Sequence, residues 1–100
     1  MKNILKEAIN KWGIDFQFTK LAEEAAELCV AAMHCLRARS PTKIDALAEE
    51  IADVMILIEV TFMIDPKIPK MVEDWKRYKL SRLKERLEDG ELKRSAKRKE

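Results

Sequence analysis

The chain has only two glycines, Gly13 and Gly90, and three prolines in 100 residues. A glycine-rich phosphate loop is therefore excluded, and any recognition of phosphate must come from metal ions and cationic side chains. The one histidine, His34, is not three residues from any glutamate, which removes the Glu-x-x-His signature of di-iron helical bundles. No apolar run approaches the roughly 20 residues that span a bilayer, and the N-terminal MKNILKEAIN lacks the apolar core of a signal peptide. The expectation is a cytoplasmic protein with no membrane partner. Cysteine is scarce as well: Cys29 and Cys35 fall six apart on one predicted helix, about 240° around its axis, so they do not pair readily with each other and read as reduced. No serine or cysteine is set in a nucleophile arrangement.

What remains is a helical composition. Hydrophobic residues make up 47% and charged residues 38% of the chain, which suits one all-α domain with a charged surface and a modest core. Burying more apolar surface requires partner chains. The formal charge of +2 is unevenly placed, because residues 93–100 hold five Lys/Arg and a single acid.

Helical spacing of Ile4, Leu5, Ala8, Ile9 and Trp12 predicts a short first helix over 2–12, stopped by Gly13. Asp15 is the expected cap of a second helix reaching about Arg39. Ser40 and Pro41 then give a cap followed by a proline at the first helical position, and the third helix continues through Ile64. Its rear half, from Met55 to Ile64, is apolar nearly all round, which points to an oligomer interface. Asp65-Pro66 repeats the cap-and-proline signal for a fourth helix to about Glu88. Asp89-Gly90 reads as a stop, so the expected organisation is a helical domain over 1–90 and a basic, disordered tail over 91–100.

Two acidic clusters organise the sequence: Glu23, Glu24 and Glu27 in KLAEEAAEL, and Glu49, Glu50 and Asp53 in ALAEEIADV. At 100° and 1.5 Å per residue, Glu24 and Glu27 share a face one turn apart, as do Glu50 and Asp53. A hairpin turning near Ser40 sets Glu27 and Asp53 at the same height, with Glu24 and Glu50 displaced by a turn or less. Four carboxylates so close are costly unless neutralised, and Mg2+ with oxygen ligands does this while keeping room for water and phosphate.

The acidic pairs read Glu-x-x-Glu, then 22 intervening residues, then Glu-x-x-Asp. With KWGIDFQFTKLAEEAAEL, LAEEIADVMILI and KLSRLKERLEDG around them, they give residues 10–90 a pattern that resembles the MazG-like family of all-α nucleoside triphosphate pyrophosphohydrolases, in its short single-domain form. The resemblance implies a four-helix bundle with a long antiparallel central pair. It further implies Glu24, Glu27, Glu50 and Asp53 as ligands of Mg2+, with Mn2+ as a substitute, and Glu23 and Glu49 as outer or base-like groups. The implied reaction is attack of water at the α-phosphorus of a nucleoside triphosphate, giving the monophosphate and pyrophosphate, in a homodimer or dimer of dimers.

Lys20, Lys79 and Arg86 are the candidate cations for the phosphates, and Gln17, on the stripe of Lys20, is a candidate partner for base or sugar. Trp12 is a candidate stacking platform; Phe16 and Phe18 are read first as core. An alternative reading takes the protein as a small helical binding module whose tail, with Lys93, Arg94, Lys97, Arg98 and Lys99, contacts nucleic acid or an acidic partner. No recognition motif accompanies that tail, and nucleic acid is not an expected partner of the enzyme reading.

Overall fold

A computed structural model describes the backbone of residues 2–99 and the side chains of residues 3–90. The described residues are helical with no strand: α1 spans Lys2–Trp12, α2 Ile14–Arg37, α3 Pro41–Ile64 and α4 Ile68–Lys99. The chain divides into two units, the first up to Pro66 and the second from Lys67 onward.

In the first unit α2 and α3 form the central pair, and α1 packs against both. The break between α1 and α2 is made by one residue. Gly13 takes φ 88°, a left-handed conformation that side chains with a Cβ adopt only at a cost. Its N–H donates to the Ile9 carbonyl at 2.8 Å and its carbonyl accepts from the Gln17 N–H at 3.3 Å. Gly13 thus ends one helix and opens the next. Asp15, expected as the cap, lies inside the first turn of α2, where its charge favours the positive end of the helix instead.

The second turn follows the sequence closely. The Ser40 Oγ accepts from the Lys43 N–H at 3.3 Å, with Pro41 at the first position of α3. The Asp65 N–H donates to the Thr61 carbonyl at 3.1 Å, so Asp65 also closes α3.

The core of this unit is thin: Ala31, Cys35 and Val60 are its buried apolar residues among those described. Val60 is 2% exposed, so the rear of α3, expected to face a partner, is partly covered within the chain. Phe62 and Met63 line a hollow with Leu5 of α1. Met55, Ile56 and Ile58 remain exposed, as do Val30, Met33 and Leu36 on α2. Phe16 and Phe18, read as core, are more than 40% exposed, while Gln17 between them is buried at 6%. The reason is angular: residues 16 and 18 point about 100° to either side of the line that Gln17 directs at α1. Cys35 is buried with its Sγ donating to the Lys43 carbonyl at 3.4 Å, whereas Cys29 is exposed; both are free thiols.

In the second unit, α4 does not stop at Asp89-Gly90 but runs on to Lys99. Gly90 keeps a negative φ. A glycine inside a helix costs about 1 kcal/mol relative to alanine, and the good helix formers of ELKRSAK that follow it outweigh that cost. The expectation of a disordered tail thus meets a helical backbone over 91–99, while its side chains lie outside the described residues. No helix among the described residues is long and apolar enough to cross a membrane.

Candidate metal centre

The seam between α2 and α3 brings the two acidic clusters together. One carboxylate oxygen from each of Glu24, Glu27 and Glu50 lies within 4.8 Å of the others, and Glu49, Glu50 and Asp53 form a second such trio. Glu50 belongs to both. Glu27 and Asp53, expected to face each other, fall in different trios, the second of which comes from α3 alone.

The electrostatics match the crowding. The Oε2 atoms of Glu24 and Glu50 are buried without a hydrogen-bond partner. Burial, then a carboxyl–carboxyl contact with Glu27 and the charges of Glu27, Asp53 and Glu50, push the Glu24 pKa up to about 7. Glu50 is also raised, first by burial and then by the charges of Glu27 and Asp53. Two buried acceptors without donors, in an all-carboxylate set, fit a hard divalent cation such as Mg2+ or Mn2+.

The remaining candidates separate. The Lys20 ammonium pairs with Glu23 at 3.1 Å and feels the charges of Glu24 and Glu27, which raise its pKa after the dominant effect of Glu23. Glu23 is held by that pair and joins neither trio, whereas Glu49 is exposed and joins the second. The Gln17 amide Nε2 donates to the Ala8 carbonyl at 3.2 Å, so this buried side chain braces α1 on α2 instead of facing solvent beside Lys20. Trp12 is 53% exposed, with its ring 5.6 Å from that of Phe16 and the Lys11 ammonium 5.3 Å from its centre. Lys79 and Arg86 lie on α4 in the second unit, where they line a shallow hollow with Tyr78 and Arg82.

A feature that sequence reasoning passed over adjoins the carboxylates. Glu27, Val30, Ala31, His34, Ala46 and Glu50 line a hollow of about 300 Å³ along the α2–α3 seam. Its signal was present in the spacing: His34 is seven residues after Glu27, so the two share a face two turns apart. The walls are apolar, and the carboxylates stand at one end. Comparison with protein-family models, curated proteins and solved structures finds no match to the chain.

Proposed function

We propose that this protein is a Mg2+-dependent nucleoside triphosphate pyrophosphohydrolase. The observation that carries the reading is the pair of buried, donorless oxygens on Glu24 and Glu50 at the junction of two carboxylate trios. Glu24, Glu27, Glu50 and Asp53 would hold the cation, which supplies charge neutralisation of the triphosphate and activation of water. Glu49, at the edge of the second trio and open to solvent, is placed to accept a proton from water arriving there. Lys20, oriented by Glu23, adds positive charge one turn from Glu24. The hollow lined by Val30, Ala31 and Ala46 receives the base, with His34 at its wall as a hydrogen-bonding group.

On this reading the fold is a MazG-like helical bundle that works as a homodimer or dimer of dimers. The large apolar side chains left open on α2 and α3, among them Leu36 at 73% and Met55 at 62% exposure, support association, since a partner chain would cover them. The test is pyrophosphate release from a panel of nucleoside triphosphates with and without Mg2+. Metal-dependent release of equimolar monophosphate and pyrophosphate is the expected result; release of inorganic phosphate, or no turnover of any nucleotide, refutes the assignment.

A further inference from the structure

The second unit carries an aromatic and cationic surface on α4. Trp75 and Tyr78 are 58% and 52% exposed, with their rings edge to face at 5.8 Å. The Arg82 guanidinium lies 5.9 Å from the Tyr78 ring centre and its Nη1 donates to the Tyr78 Oη at 3.4 Å. Lys79, Arg82 and Arg86 line one hollow of about 250 Å³ with Tyr78. Helical spacing puts Trp75, Lys79, Arg82 and Arg86 on a single face, aromatic at its start and cationic beyond.

Continuation of α4 to Lys99 changes what the basic C-terminal stretch is. In the sequence Lys93 and Lys97 follow Arg86 at intervals of seven and four, the same repeat that spaces Lys79, Arg82 and Arg86, with Asp89 as the one interruption. Residues 67–90 hold eight Lys/Arg against five Asp/Glu, and residues 91–100 five against two, while residues 1–66 hold seven against eleven. The net positive charge of the protein is thus gathered in the second unit.

The geometry points to the Trp75–Arg86 face of α4 as a binding surface for single-stranded nucleic acid, with phosphates on Lys79, Arg82 and Arg86 and bases stacked on Trp75 and Tyr78. A strand alternates anionic phosphates with flat apolar rings, which this face matches in kind. A membrane surface is a poorer fit because no single face of α4 is apolar throughout: Leu80, Leu83 and Leu87 lie roughly 100° away from Trp75. All residues of the proposal lie on α4.

The test is fluorescence anisotropy of the full chain with a labelled oligothymidine about twenty nucleotides long, in EDTA, across a salt series starting at about 50 mM. Binding is expected to weaken as salt rises. Neutralising Lys79, Arg82 and Arg86 together as glutamines reduces the slope of log K against log salt by about 2, at roughly 0.7 per phosphate. Trp75→Ala weakens binding by about tenfold. A control that neutralises Arg77 and Lys84, on the opposite side of the helix, leaves most of the affinity in place. Circular dichroism checks that each variant keeps its helix content. The proposal is overturned by absence of binding at the lowest salt, by an equal loss in the control, or by a duplex of the same length binding as tightly and with no sensitivity to Trp75→Ala.

Discussion

Glu24 and Glu50, on facing helices, each turn Oε2 into the α2–α3 seam, and neither oxygen meets a hydrogen-bond donor there. A carboxylate oxygen buried in this way destabilises the ionised form, and the two strained groups lie in one trio with Glu27. The arrangement is stable when a proton or a cation occupies it. Fold and proposed chemistry therefore pull on the same atoms.

Substituting Glu24→Gln, Glu27→Gln, Glu50→Gln or Asp53→Asn is expected to lower turnover by on the order of 10²-fold or more, because each removes a proposed ligand of the cation. Without metal the melting midpoint of each variant stays the same or rises, as like-charge repulsion is relieved. Turnover with Mg2+ and melting in EDTA measure the two effects. Near-normal turnover in any two of the four refutes the ligand assignment.

The raised pKa of Glu24 makes metal-free stability depend on pH. With its folded value near 7 above its unfolded value near 4.5, the native state binds the extra proton between them. Stability is fully present below the unfolded value and falls as pH rises through the folded one. The melting midpoint in EDTA should accordingly drop between about pH 5 and pH 8, and saturating Mg2+ should flatten or reverse that slope, since the cation competes with the proton. A midpoint that rises with pH in EDTA contradicts the burial of this carboxylate.

Opposite outcomes are expected at the two glycines. Gly13→Ala forces a Cβ into a positive φ and should destabilise the protein by about 1 to 2 kcal/mol, although the added atom itself meets nothing within 4 Å. Gly90→Ala, inside a helix, should gain up to about 1 kcal/mol of helix stability. Urea denaturation and helix content by circular dichroism distinguish them. A destabilising Gly90→Ala would place the end of α4 at Gly90 after all.

Gln17 is expected to matter for stability before chemistry. Gln17→Ala removes the bond to the Ala8 carbonyl and leaves a gap between α1 and α2, at a cost of about 1 to 2 kcal/mol. Turnover of the variant, measured well below its melting point, should fall much less than for the carboxylate variants. A drop as large as theirs, with unchanged melting, would return Gln17 to the substrate site.

Association is tested on side chains that the protomer leaves open. Ile56→Lys, at a position 47% exposed, should dissociate the proposed oligomer with little effect on helix content. Phe62→Glu, half-buried beside Leu5 and Met63, should instead unsettle the protomer itself. Sedimentation over a dilution series separates the two. A wild-type chain that remains monomeric and active at every concentration refutes the oligomer.

Local signals settled much of this protein. Gly13 and the Ser40-Pro41 pair end and begin helices through backbone chemistry that needs no distant partner, so those boundaries were legible in the sequence. The same holds for the carboxylate pairs, whose placement on one helix face follows from spacing alone, and for α1, whose apolar periodicity marks it before any packing is known. What only the tertiary structure decided is what depends on which helix lies opposite. The packing of α2 on α3 brings Glu50 to Glu24 and Glu27, whereas its grouping with Glu49 and Asp53 lies within α3 itself. Packing of α1 on α2 buries Gln17 and leaves Phe16 and Phe18 outside, against the order that hydrophobicity suggests, because direction from the helix axis overrides residue type. Gly90 shows the converse: the stop it signals locally was not made, since a glycine ends a helix only when the chain uses its positive φ, and here the residues beyond it favour the helix more than the glycine disfavours it.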